Sequence, residues 1–209
     1  MQHFSIIIPT LNEEGTLPTL LQRLEEVSSI NQLQPEIIFV DVNSTDSTCA
    51  IIRSYSGPLK VRLILREGKS DRAGAVAAGA QAAAHEYLVV MDADLSHPPE
   101  QIPELLIPLQ ADSADMTIGS RYLVNGSIKS WSFAKRTASR LVSLPAQLLT
   151  GLRDPLSGFF ATHTRFFKDL PGNMSGINIS LELLMHQKPT FTIAEIPITF
   201  TYKENTVRK

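Results

Sequence analysis

Two aspartates one residue apart, Asp92 and Asp94, follow the apolar run Tyr87-Leu88-Val89-Val90-Met91. In extended chain residues i and i+2 point the same way, so this spacing turns both carboxylates toward one ligand. Two hard oxygen donors on one face suit Mg2+ or Mn2+ that also holds phosphate oxygens and water. With nine aspartates in 209 residues, about 0.4 such pairs are expected by chance, so the place of the pair after an apolar run carries the weight. That place recurs along the chain. Other apolar runs end in Pro9-Thr10-Leu11-Asn12-Glu13-Glu14, in Asp41-Val42-Asn43-Ser44-Thr45-Asp46, in Arg66-Glu67-Gly68-Lys69 and in Gly119-Ser120-Arg121. Ligands of open α/β sheets gather beyond the carboxyl ends of the strands, so carboxylates after several strands describe a polar cleft.

A second set of chemically able residues is cationic. The segment from Met116 to Arg153 contains no Asp or Glu and six basic residues, Arg121, Lys129, Lys135, Arg136, Arg140 and Arg153, in a chain of net charge −2. An acidic body therefore carries one cationic stretch, which points to an anionic partner or to a solvated basic helix face. Other sites are excluded by their spacing. Gly68-Lys69-Ser70 imitates the end of a phosphate-binding Walker loop, but the glycine required five residues earlier is Leu63. No G-x-G-x-x-G follows the first apolar run, and there is no G-x-S-x-G elbow. The five histidines are scattered singly, which speaks against a zinc site, and His97 is either a cleft residue or a structural loop histidine. Cys49 is the only cysteine, so no internal disulfide forms and a reducing, cytosolic setting is expected. No apolar stretch reaches the ~18–20 residues that a membrane span needs.

The elements that must position these residues follow from periodicity. Phe4–Ile8, Ile37–Val40, Val61–Leu65, Tyr87–Met91 and Met116–Ile118 read as buried strands. Helical patterns lie between them over Gly15–Ser29, Asp46–Ser54, Asp71–His85 and Pro99–Gln110, with Asp46 and either Ser70 or Asp71 as N-caps. This alternation is that of an α/β domain with a Rossmann-like, mostly parallel sheet flanked by helices. Beyond Gly119 the rhythm changes to a loop at Asn125-Gly126, an amphipathic helix over Ser132–Thr150, a loop at Asp154-Pro155-Leu156-Ser157-Gly158 and strands over Phe191–Ile196 and Ile198–Tyr202, parted by Pro197. This half reads as a lid and acceptor side. The helical stretch from Trp131 to Leu152 sets Trp131, Phe133, Leu141, Leu144 and Leu148 among cations, which suits either an anionic bilayer surface or ordinary core packing.

The order of Pro9-Thr10-Leu11-Asn12-Glu13-Glu14, Val40-Asp41, Glu67-Gly68-Lys69, Asp92-Ala93-Asp94-Leu95-Ser96-His97-Pro98-Pro99, Gly119-Ser120-Arg121-Tyr122 and Asp154-Pro155-Leu156-Ser157-Gly158-Phe159 resembles the GT-A glycosyltransferases of family 2, in their dolichol-phosphate (polyprenol-phosphate) mannosyltransferase-like branch. The resemblance implies one GT-A domain over residues 1–209, with a nucleotide-sugar-binding half (1–120) and an acceptor-side half (121–209). It implies inverting transfer of mannose or glucose from GDP-mannose or UDP-glucose to a polyprenyl phosphate, by a peripheral protein at the cytosolic face of a membrane. By matching positions, Pro9, Leu11, Glu13 and Asp41 would line the nucleoside pocket, and Lys69 would lie near it. Asp94, with Ser96 nearby, would hold Mg2+ or Mn2+, Asp92 would contact the ribose or that metal, and Arg121, Lys135, Arg136 and Arg140 would hold the acceptor phosphate, with Asp94, Arg121 and Arg136 closest to the chemistry. Nucleic acid is not an implied partner, whereas a membrane-embedded partner subunit is compatible with it. Glu182 is either the remaining carboxylate for sugar binding or, more simply, a surface or capping glutamate. Val42, Phe160 and the segment Ser70-Asp71-Arg72-Ala73-Gly74 depart from the family pattern, where a second aspartate, an arginine and a more glycine-rich run are usual. These departures point to specialised pockets, to a different acceptor, or to a weakly active nucleotide- or lipid-binding partner subunit.

Overall fold

The computed structural model describes residues 2–67, 71–129, 143–168, 178–187 and 190–201. The sheet is built from β1 (Gln2–Thr10), β2 (Leu33–Asp41), β3 (Lys60–Leu65), β4 (Tyr87–Val90), β5 (Met116–Ser120), β7 (Phe160–His163) and β8 (Ile193–Pro197), in the order β3-β2-β1-β4-β7-β5-β8. All pairings are parallel except those of β7, which runs antiparallel to β4 on one side and to β5 on the other. A separate two-stranded parallel pair joins β6 (Ser127–Lys129) to β9 (Thr199–Thr201).

Strand alternation sorts the core into two layers. Phe4, Ile6 and Ile8 of β1 pack under α1 (Leu17–Ile30) and α4 (Ile102–Gln110), where Leu17, Leu20, Leu21, Leu24, Leu105 and Leu109 recur at helical spacing. Ile7, Ile38 and Val40 face the other way, onto α3 (Arg72–Ala82). That helix is made of small residues because it lies close on the sheet: a Cβ on Gly79 would meet Ile7 at 2.5 Å and Val40 at 3.1 Å. Asp71 caps α3, accepting the Gly74 N–H at 2.6 Å, so of the two expected caps it is Asp71 that serves.

Several expectations are corrected. The N-cap of α2 (Thr48–Arg53) is Ser47 and not Asp46, although Asp46 still accepts the Thr48 N–H at 2.9 Å. α3 ends at Ala82, because Ala83 turns to an extended backbone. The second half is more than a lid: its strands β7 and β8 complete the main sheet, and β7 was not expected from the sequence. β8 stops at Pro197 on the sheet edge, where a missing N–H costs no ladder bond. Of the expected basic helix the structure describes only its end, α5 (residues 143–150). Two short helices, α6 (Arg165–Lys168) and α7 (Ile179–Met185), follow.

Candidate active site

The loops after β1 and β2 are sewn together. Asn12, in the left-handed region with φ of 56°, donates its N–H to Ser44 Oγ (2.9 Å) and accepts the Thr45 N–H (2.8 Å). Glu13 N donates to Thr48 Oγ1 (2.7 Å), Glu14 N to Asp46 Oδ2 (3.2 Å), and Ser47 N back to Glu14 Oε2 (2.9 Å). The register of the pair sets Thr10 beside Asp41, and Thr10 Oγ1 donates to its carboxylate at 3.3 Å. Asp41 is buried and also accepts the N–H and hydroxyl of Ser44, so it braces this wall. Pro9 is half-buried, and Leu11 is 46% exposed at the rim, an apolar surface that a flat ring could cover. Val42 is buried in the α3-side core, which explains how an apolar residue is accommodated after Asp41.

The loop after β4 holds the expected carboxylates in a different way from extended chain. β4 ends at Val90, so the two-residue period no longer governs where Asp92 and Asp94 point. Asp92 forms an ion pair with Arg72, and its N–H donates to His97 Nδ1 at 3.0 Å. Leu95 is buried with φ of 63°, a conformation uncommon for a leucine, and this bend brings the Ser96 N–H to Asp94 Oδ1 at 2.9 Å. Ser96 Oγ is buried and has no hydrogen-bond partner among the described residues. Glu13 lies near enough to both aspartates to feel their charges. Burial lifts its carboxyl above the ordinary range, against the Thr16 hydroxyl, and the charges of Asp94, Asp92 and Asp46 push the same way. His97 is a structural histidine: it stacks on Phe159 (5.1 Å) and meets Phe200 edge-on (5.7 Å). Burial, reinforced by Arg72 and Arg121, lowers it to about 3, so its neutral ring is free to accept the Asp92 N–H.

Across from these acids stands Arg121. Its Nε and Nη2 both donate to Asp154, each at 2.7 Å, and its backbone N–H donates to the same carboxylate at 2.9 Å. Asp154 is fully buried, and its own N–H, with that of Arg153, is received by Glu195. Burial works against the guanidinium charge, yet the paired carboxylate outweighs it and holds Arg121 above its ordinary range. The rings of Tyr122 and Phe200 lie 5.3 and 5.4 Å from the guanidinium carbon. Ser157 Oγ ties the Asp154 loop to Gly119 O at 2.6 Å, and Ser180 Oγ of α7 donates to Ser157 O at 3.0 Å.

The structure thus brings Glu13, Asp41, Asp92, Asp94, Ser96 and Arg121 to the ends of β1, β2, β4 and β5. Lys69, Lys135, Arg136 and Arg140 lie outside the described residues, as do Trp131, Phe133 and Leu141. Phe160 is buried in the core of β7. Both carboxylate oxygens of Glu182 are buried with no hydrogen-bond partner among the described residues. Sequence reasoning gave no role to Arg72, Asp154 or Glu195. The departure of Arg72 from a glycine-rich run is a visible signal, whereas Asp154 and Glu195 give none beyond lying in the loop that opens at Asp154 and in the expected strand Phe191–Ile196.

Among the described residues no three His, Cys, Asp or Glu side chains converge as a metal cage. The donors present do fit Mg2+ or Mn2+, which bind through one or two carboxylates and keep other positions for phosphate and water. The observation that supports the fit is the buried, partnerless Ser96 hydroxyl beside Asp94. No helix among the described residues is long and apolar enough to cross a membrane.

Comparisons with known proteins bear on the fold and the family. The chain is 34% identical over 202 residues to a dolichol-phosphate mannosyltransferase of Pyrococcus furiosus, covering 94% of this chain and 56% of that protein. It therefore spans little more than half the length of that relative. It is 35% identical to the dolichol-phosphate mannosyltransferase of Saccharomyces cerevisiae, covering 94% of this chain and 77% of that one. Glucosyl-3-phosphoglycerate synthase of Mycobacterium tuberculosis, solved with Mn2+, UDP and glucosyl-3-phosphoglycerate, superposes with a TM-score of 0.70 at 19% identity over 96% of this chain and 70% of that one, a likeness of fold. The fold is the GT-A arrangement of a mostly parallel sheet between helices. Residues 5–170 match the family described as Glycosyl transferase family 2, and with relatives of this identity and coverage the chain belongs to that family.

Proposed function

We propose that this chain transfers a sugar, with inversion at its anomeric carbon, from a nucleotide-sugar donor to a polyprenyl phosphate. The names of its relatives favour mannose, and hence GDP-mannose over UDP-glucose. The observation that carries the reading is the division of the cleft: Glu13, Asp92, Asp94 and the partnerless Ser96 hydroxyl on one side, and the aimed guanidinium of Arg121 on the other.

In this reading Pro9, Leu11 and Asp41 line the nucleoside pocket, with Glu13 and Lys69 beside it. Asp94 and Ser96 would hold the divalent ion, with Asp92 contributing from the same loop. When bound, that ion would supply Lewis-acid stabilisation of the departing nucleoside diphosphate. Arg121, with Lys135, Arg136 and Arg140, receives the acceptor phosphate and directs one of its oxygens to the anomeric carbon from the face opposite the leaving group. A phosphate is already ionised at neutral pH, so the attack needs positioning and charge neutralisation more than a general base. Asp154 serves by fixing the Arg121 fork, which makes it a positioning residue. The exposed Leu144, Leu148 and Leu149 of α5 lie within the cationic stretch, a combination that suits peripheral attachment to an anionic membrane at its cytosolic face, alone or with a membrane-embedded partner.

A thermal-shift panel tests the donor half: GDP, UDP, GDP-mannose and UDP-glucose, each with and without Mn2+, since ligands that bind the folded state raise its apparent stability. A metal-dependent rise with guanine nucleotides, followed by transfer of labelled mannose to polyprenyl phosphate in detergent, is the expected result. No rise with any of the four removes the donor site from this reading. A donor-dependent rise without transfer to polyprenyl phosphate shifts the assignment to another acceptor.

A further inference from the structure

We propose that Arg72 is a built-in cation of the donor site: it neutralises Asp92 in the absence of ligand, binds the donor's diphosphate in its presence, and so competes with the divalent ion for Asp92. The proposal deepens the donor-site reading above and rests on it.

Arg72 is the first residue of α3, and the Asp71 cap fixes where that helix begins. From there its guanidinium crosses to Asp92 and passes against Gly158, where an added Cβ would overlap it. A missing side chain at 158 thus leaves room for Arg72 between the β4 loop and the Asp154 loop. Glycines, as the family resemblance leads one to expect in this segment, would place no charge there.

The groups around it give the cation its purpose. The charges of Asp92 and Asp94 both act on Glu13, so three carboxylates share this side of the cleft, while the buried His97 ring accepts the Asp92 N–H. A diphosphate entering such surroundings needs a cation, and a planar guanidinium pairs phosphate oxygens in the same forked way as a carboxylate. With its side chain 42% exposed, Arg72 has room to turn from one partner to the other.

The test compares the full chain with Arg72→Gln and Arg72→Lys in two binding measurements and a melting curve. Mn2+ alone is titrated against each protein by electron paramagnetic resonance of the free ion, and GDP and UDP are titrated by calorimetry in EDTA. Loss of a partly exposed competitor should tighten Mn2+ binding by about threefold to fivefold in Arg72→Gln. Loss of a charge-assisted contact should weaken metal-free nucleotide binding by about tenfold. Arg72→Lys should retain most of both properties. A salt bridge that only steadies α3 would lower the melting temperature and leave the two affinities unchanged or falling together, and either pattern overturns the proposal. Nucleotide binding equal in all three proteins defeats the proposal alone. No nucleotide binding by any of them, with or without Mn2+, defeats the donor-site reading and the proposal with it.

Discussion

Replacing Asp154 by asparagine removes the charge that holds Arg121 while keeping the shape of the side chain. Asp154 is fully buried and the Arg121 side chain is 14% exposed, so the remaining guanidinium charge would have little water to fall back on. Three donors converge on the carboxylate, at 2.7, 2.7 and 2.9 Å, and an amide offers them a single oxygen. Removing one partner of a buried pair costs roughly 3–5 kcal/mol. The amide oxygen and the partial exposure of Arg121 place this change at the lower end, about 3 kcal/mol. In a chain of this size each kcal/mol moves the midpoint by about 2–4 °C, so the melting temperature should fall by about 6–12 °C. Urea denaturation of Asp154→Asn, Arg121→Gln and the double variant measures the energy and its origin. If the pair acts as described, the double variant is less damaged than the sum of the singles by at least about 1 kcal/mol. A loss below about 1 kcal/mol for Asp154→Asn, the range of a surface ion pair, would refute the argument. So would full additivity.

Asp94→Ala should cut transfer at least about a hundredfold and abolish the Mn2+-dependent nucleotide shift, while moving the melting temperature of the ligand-free protein by under about 3 °C, as checked by paired activity and thermal-shift assays. His97 is held neutral to about 3 in the folded protein against 6.5 for an ordinary histidine. The unfolded chain therefore takes up its proton first as pH falls, and the stability contributed by the buried neutral ring is present above pH 6.5 and is lost below it. Between pH 6.5 and 5 the loss should reach about 2 kcal/mol, and His97→Gln should show a shallower pH slope in urea denaturation. Leu148→Ser with Leu149→Ser, positions 85% and 75% exposed, should weaken sedimentation with anionic vesicles at least tenfold and leave the nucleotide shifts intact.

Much of this architecture is readable in the sequence because parallel strands covered on both faces must be apolar throughout. Ile37–Val40 and Tyr87–Met91 are such runs, and both fall at observed strands or their immediate ends. The strand β7 escapes the same logic. It is four residues long, and two of them, Thr162 and His163, are polar yet buried, with the Thr162 hydroxyl donating to Asp115 O. The candidate site is legible in residue type more than in geometry. Polar residues after each strand mark the cleft, but the side chain that meets Asp92 depends on where β4 stops and on the left-handed turn at Leu95, and neither is a property of local spacing. The partnership of Arg121 with Asp154, 33 positions apart, arises from β7 running beside β5. No short-range pattern encodes it.

That placement of β7 sets a distance. β4 carries the aspartates at its end and β5 carries Arg121, and the strand between them is hydrogen-bonded to both. Two inter-strand steps of ~4.8 Å therefore set the ends of β4 and β5 about 10 Å apart, and the loops that carry the aspartates and Arg121 start from that spacing. The strand ends hold that spacing when either loop changes composition. In the proposed reading, adaptation to another sugar or acceptor would then proceed by exchanging side chains on the two loops, with the spacing of the strand ends inherited unchanged.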